Sequence, residues 1–128
     1  MSRKTRPIRS ADDLAHYLTA YPEEITFGDR PADEVFDGYH AEDFVLVNDG
    51  LALDRQRLLD HVQSARKRAR AVAVDVRDVL MDGDRVAARY ALTADLRKGN
   101  RIVTEIHFFG QLAPDGRLRR VEQLTRTP

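Results

Sequence analysis

From Val72 to the C-terminus, apolar residues recur at every second position. Val72, Val74 and Val76 form one run, and Val86, Ala88, Tyr90 and Leu92 a second. Ile102, Ile106 and Phe108, with Thr104 in phase, form a third, and Val121, Gln123 and Thr125 a shorter fourth. A period of two marks a strand with one face buried and the other in solvent. The runs are separated by "MDGD", "RKGN" and "APDG", whose Gly, Asp and Asn residues adopt turn conformations with little steric cost. The pattern predicts a long antiparallel meander.

The first half of the chain keeps a helical period. Ser10 followed by Asp13 resembles a capping box, and Leu14, Tyr17, Leu18 and Tyr21 recur on one side, predicting a helix that ends near Pro22. "GDRPADEVFDGYH" places Pro31 at a helix start, acids in the first turn, and Val35, Phe36 and Tyr39 on one side. "EDFVLVNDG" reads as a strand stopped by an Asn-Asp-Gly turn. A third helix follows, with Asp54 as N-cap and Leu58, Leu59, Val62 and Ala65 as its buried stripe.

Register decides which side chains share a face of the meander. A three-residue loop at Lys98–Asn100 sets Tyr90 opposite Phe108 and Leu92 opposite Ile106; a loop at Ala113–Gly116 sets Phe108 opposite Val121 and Ile106 opposite Gln123. The reverse face then carries Arg89, Thr93, Glu105, His107, Arg120 and Glu122, with His107 beside Glu122.

Composition narrows the chemistry. A chain of 128 residues closes one core and has no room for a second. Twenty-one basic and 21 acidic residues cancel, so no net field recruits nucleic acid or a membrane surface. The absence of Cys excludes disulfides, thiolate nucleophiles and thiolate zinc sites. No run of about 18 apolar residues occurs, and the basic start "MSRKTRPIRS" is not followed by a signal-peptide core, so a soluble, cytoplasmic protein is expected. Residues 1–10 are expected to form a flexible basic arm and residues 11–128 a single domain. No glycine-rich phosphate loop, serine triad or paired-His motif is present, and neither metal nor cofactor is expected.

Three helices, then a meander, with "YHAEDFVLVNDG" between the second and third helices and "MDGDRVAARYALT" and "APDGRLRRVEQL" in the strand half, resemble the SnoaL-like branch of the nuclear-transport-factor-2-like superfamily from about Leu14 to Arg126. The resemblance implies an α+β cone: three N-terminal helices packed in the concave face of a strongly curved, mainly antiparallel sheet. It also implies an apolar pocket at the cone's mouth and a homodimer through the convex sheet face. Members include steroid isomerases, polyketide cyclases, limonene-epoxide hydrolases and domains that only bind, so the activity stays open.

Matched residue by residue, the known catalytic sets are incomplete. Tyr21 matches the isomerase tyrosine, but Asn48 stands where the proton shuttle belongs, with Asp49 one residue beyond, and Phe108 replaces the second acid. In the epoxide-hydrolase pattern Asn48 and Arg89 match, while Ala91 and Gln123 stand where the acids belong. Glu122 is nearest to the cyclase carboxylate, and the register turns it outward.

The expected pocket is lined by Tyr17, Tyr21, Phe36, Tyr39, Phe44, Tyr90, Ile106 and Phe108, with polar contacts from Asn48, His61 and Gln123. The expected ligand is a small apolar molecule. A cyclase, isomerase or hydratase would need an ionisable group there, for which His61 and Asp49 are the candidates; a non-catalytic binding or dimerisation module would need none. His40 and Glu42, near the end of the second helix, are expected at a solvated turn, with the rim of the pocket mouth as the alternative; His107 with Glu105 and Glu122 is expected in an ion network on the convex face, with an acid-base group or half a metal site as the alternative.

Overall fold

The computed structural model describes residues 6–128. Helices α1 (Ala11–Phe27) and α2 (Ala32–Tyr39) lead into strand β1 (His40–Asn48), short β2 (Leu51–Leu53) and helix α3 (Arg55–Arg68). The meander follows as β3 (Ala69–Asp82), β4 (Arg85–Leu96), β5 (Arg101–Leu112) and β6 (Leu118–Arg126). One six-stranded sheet runs in the order β2-β1-β6-β5-β4-β3. Every neighbouring pair is antiparallel except β1 with β6. Helix α1 packs on β3 and on α2, whereas α2 packs on β1 toward the opposite side of the sheet. The sheet must therefore curl around the helices to let both contacts form, giving an open cone.

The helix caps follow the sequence. Ser10 Oγ accepts from Asp13 N at 3.2 Å, and Asp54 Oδ1 accepts from Arg57 N at 3.0 Å. Helix α1 does not stop near Pro22 but continues to Phe27. Pro22 cannot donate to the Leu18 carbonyl, but Ile25 is buried one turn later and the Gly28 N–H closes on Glu24 O at 2.9 Å. A Cβ at Gly28 would lie 2.4 Å from that same oxygen, which is why a glycine ends the helix.

The β4–β5 and β5–β6 hairpins each sit two residues away from the expected register. Tyr90 faces Ile106 and Ala88 faces Phe108, because the β4–β5 connection spans Arg97–Asn100. Phe108 faces Gln123 and Ile106 faces Thr125, so His107 lies opposite Leu124 and not Glu122. A shift of two leaves every side chain on its expected face. Strand β3 changes phase at a bulge between Val76 and Asp78, so that Val74 and Val76, then Val79 and Met81, pack on the core.

Two further expectations are corrected. Of the expected arm, residues 1–5 lie outside the described residues, while residues 6–10 are docked: Ile8 is buried, its N–H bonds Gly116 O at 2.8 Å, and Arg6 N bonds Gly38 O at 2.9 Å. Arg9 adds to these contacts: its N–H donates to Asp13 Oδ2 at 2.8 Å and its guanidinium reaches the carbonyls of Pro114 and Asp115, while Arg6 pairs with Glu24. Nor is the α3 stripe buried: Leu58, Leu59, Val62 and Ala65 are all only half-covered. Leu58, Val62 and Ala65 border a hollow, while Leu59 packs at the edge of the core without lining it.

Candidate functional site

That hollow is a cavity of about 330 Å³ between α1, α3 and the inner face of the sheet. Helix α3 supplies Leu58, Val62 and Ala65 to one wall. The opposite wall comes from alternate residues of the meander: Tyr90 and Leu92 on β4, Ile106 and Phe108 on β5, Val121 and Gln123 on β6. The inner end is aromatic, with Tyr17 and Tyr21 of α1, Phe36 of α2, and His40 and Phe44 of β1. Among the described residues, no Asp, Glu, Lys or Arg lines it.

Of the residues expected in the pocket, Tyr17, Tyr21, Phe36, Phe44, Tyr90, Ile106, Phe108, Gln123 and His61 line the cavity. His61 sits on its solvent-exposed rim. Tyr39, Asn48 and Asp49 do not line it. Tyr39 is buried behind the wall and donates to Glu24 Oε1 at 3.0 Å. Burial and that carboxylate push its phenol up to about 12. Asn48 Oδ1 accepts from Gln123 Nε2 at 3.0 Å and so orients an amide that does reach the cavity. Asp49 is exposed in the turn after β1 with φ 49°, where its carboxylate accepts from the N–H and hydroxyl of Thr125. Those bonds hold its carboxyl below the usual range.

The residue missed from sequence is His40, expected in a solvated turn and found 2% exposed. It stacks on Phe36 at 4.2 Å between ring centroids and also touches Phe44, Tyr17 and Tyr21. Its Nδ1 lies 2.8 Å from Phe36 O, and its Nε2 lies 2.8 Å from the Tyr17 hydroxyl. A carbonyl only accepts, so Nδ1 carries the proton; in the neutral ring Nε2 then accepts, and Tyr17 donates. Desolvation is the main influence on the imidazole and lowers it to about 4. The Phe36 carbonyl and Asp37 oppose this, and Arg117 adds to it. Asp37 is held by Arg55 Nε and Nη2, both at 2.9 Å, and Arg117 Nη1 binds the Asp37 carbonyl at 3.0 Å. A signal was present: Phe36, His40 and Phe44 are spaced four apart across the α2–β1 junction, with Phe36 on the apolar side of its helix.

Burial also raises the phenols of Tyr17, Tyr21 and Tyr90, so all three are protonated at neutral pH. The Tyr90 hydroxyl has no hydrogen-bond partner among the described residues, although the residue is only 8% exposed. It lies on the cavity wall, where a ligand oxygen or nitrogen would satisfy it. The arrangement is thus an uncharged apolar chamber with a Tyr17–His40 pair at its inner end, a free Tyr90 hydroxyl on its sheet wall and a fixed amide from Gln123.

This is the architecture of the SnoaL-like, nuclear-transport-factor-2-like fold. No family model matches the chain, and no curated protein matches it. Solved structures do. AclR from Streptomyces galilaeus, a candidate hydroxylase, superposes with a TM-score of 0.70 at 14% identity, over 91% of this chain and 90% of its own. IdmH from Streptomyces antibioticus, a candidate polyketide cyclase, gives 0.67 at 18% identity over 92% of each chain. A candidate SnoaL-like polyketide cyclase from Jannaschia sp. CCS1 gives 0.66 at 14% identity, covering 98% of this chain and 90% of that one. At these identities the likeness is one of fold. Among the described residues, no helix is long and apolar enough to cross a membrane.

Proposed function

We propose that the chain is a cytoplasmic protein that binds a small, neutral, largely apolar molecule in the cone. The cavity carries this reading: about 330 Å³, walled by aromatic and aliphatic side chains, with a few fixed polar groups and, among the described residues, no formal charge in its lining. A polyketide-like ligand is supported by the likeness to IdmH and to the Jannaschia protein, both candidate polyketide cyclases, and the reaction type, if the ligand is transformed, is that of a cyclase, isomerase or hydratase. Asp49 has no part in this proposal, because its carboxylate is engaged at an exposed turn. His61 is retained as a rim contact.

Titration with N-phenyl-1-naphthylamine, a neutral flat fluorophore, tests the reading. A dissociation constant on the order of 10 μM is expected. Val62→Trp fills the cavity from the half-covered face of α3 and is expected to weaken binding at least ~10-fold with the fold intact by circular dichroism. Equal binding by both proteins, or none by the wild type, overturns it. A second reading, a binding module without chemistry, is favoured by a lining that, among the described residues, holds no carboxylate.

The convex face supports the proposed homodimer. Leu80, Ala87 and Phe109 form one cross-strand row there, and Leu80, Phe109 and Leu124 are each about two-thirds exposed. The ion pairs Arg89–Asp78 and Arg120–Glu122 flank them, as the rim of an interface would. A wider hollow of about 760 Å³ on this face is lined by Arg85, Arg120, Glu122 and His107 beside Phe109, so it belongs to this surface and not to the apolar chamber. Sedimentation is expected to return a dimer for the wild type and a monomer for Phe109→Asp; a wild-type monomer at micromolar concentration contradicts the proposal.

A further inference from the structure

We propose that Tyr17 and His40 form a two-residue proton relay. Tyr17 Oη takes a proton from an enolisable or phenolic ligand while the Tyr17 hydroxyl proton passes to His40 Nε2. The inference rests on the cavity being a ligand site, and it assigns to that site a proton acceptor where the lining holds no carboxylate.

Three observations carry it. Both residues line the cavity, and the hydroxyl is 2.8 Å from Nε2, within direct transfer distance. The Phe36 carbonyl, 2.8 Å from Nδ1, fixes the tautomer so that the bare nitrogen faces Tyr17 and cannot be exchanged for the protonated one by a ring flip without losing that bond. Finally, the rings of Phe36, Phe44, Tyr17 and Tyr21 surround the imidazole, which excludes water as a competing proton donor. A buried histidine needed only for packing would have its hydrogen bonds satisfied by groups that never meet a ligand. Here the second partner is a cavity-wall hydroxyl.

The step balances without a co-reactant. The ligand O–H or activated C–H bond breaks, and its electron pair stays on the ligand as a phenolate or enolate. A new O–H bond forms at Tyr17, whose original O–H bond breaks as N–H forms at Nε2. Tyr17 ends neutral and His40 ends as imidazolium, still donating from Nδ1 to Phe36 O. Return of the proton to a different ligand atom completes an isomerisation. The dry chamber that disfavours an isolated imidazolium also leaves the neighbouring ligand anion unscreened, so the two charges form together or not at all.

The probe is 2-tetralone, a neutral bicyclic ketone, with α-proton exchange into D₂O followed by ¹H NMR and binding followed by displacement of N-phenyl-1-naphthylamine. Wild-type protein is expected to accelerate exchange over buffer. Tyr17→Phe removes the hydroxyl, and His40→Gln keeps an acceptor for Tyr17 but cannot take its proton. Each is expected to reduce exchange about 100-fold while affinity changes less than about threefold. Full exchange activity in His40→Gln would reduce His40 to a positioning residue and overturn the relay. Binding of 2-tetralone without acceleration, or a bound fluorophore that 2-tetralone neither displaces nor exchanges beside, overturns the relay and leaves the cavity reading standing, whereas absence of fluorophore binding by the wild type removes both. Should His40→Gln not fold, ¹⁵N NMR of wild-type His40 decides through the same assignment: a protonated Nε2 with bare Nδ1 overturns the relay, and the reverse, together with loss of exchange in Tyr17→Phe, upholds it.

Discussion

Phe36→Ala is expected to destabilise the protein by about 3–5 kcal/mol, the usual loss for deleting a buried phenylalanine side chain. Phe36 is 1% exposed, stacks on His40 at 4.2 Å and meets Phe44 edge-on at 5.8 Å between centroids. These ring contacts add to the loss of buried area. The substitution also enlarges a space that is already partly empty, so neighbouring side chains have little to collapse onto. In a marginally stable domain of this size the melting temperature should fall on the order of 10–20 °C. Leu51→Ala, at a position 56% exposed, should change stability by no more than about 0.5 kcal/mol. Urea unfolding of the two variants checks the contrast, and a loss below about 1 kcal/mol for Phe36→Ala contradicts this packing.

The second large effect is acid sensitivity from His40. Its imidazole is lowered from 6.5 to about 4 in the folded protein, chiefly by desolvation. Between those values the unfolded chain binds a proton that the folded chain refuses, so stability rises with pH across the window. His40 therefore costs nothing above pH 6.5 and destabilises progressively as pH falls toward 4, by roughly 3 kcal/mol in all. Glu105 and Asp95 act in the same direction only at lower pH, because their arginine partners hold them below the usual carboxylate range. Urea unfolding at pH 7, 6, 5 and 4.5 should show the decline in wild type and a flatter profile in His40→Gln. Parallel profiles would mean that His40 is not buried as a neutral ring.

The β half was legible because its evidence is redundant. Alternation, turn residues and register all address the same question, and an error of two residues in both hairpins left Tyr90, Ile106 and Phe108 on the inner face. Capping by Ser10 and Asp54 was equally local and equally readable. What failed needed tertiary information. Helix α1 passes Pro22 because Ile25 finds a buried site beyond it. Residues 6–10 are held by Gly116 and Gly38, more than 20 residues away along the chain. The bulge near Arg77 changes strand phase without any glycine or proline to announce it.

The site was half legible for the same reason. Nine expected lining residues do face the cavity, since amphipathic phase alone places them there. His40 was missed because its four-residue spacing from Phe36 and Phe44 crosses a helix–strand junction, where neither period alone assigns a face, and only the fold shows that α1 brings Tyr17 onto it. Asn48 and Asp49 were expected one layer too far inward. Strand β1 lines the cavity with His40, Phe44 and Leu46 but leaves it by its last residue, where Asn48 and the following turn bond to Gln123 and Thr125 of β6.

A crystal structure of the protein with N-phenyl-1-naphthylamine decides whether the cone holds a ligand. Density is expected inside the cone, between Val62 of α3 and the inward rings of Tyr90 and Phe108, with the amine within hydrogen-bond reach of Tyr17 or Tyr90. A cone closed by those rings, with the fluorophore lying instead on the outer face at Leu80, Phe109 and Leu124, would contradict it.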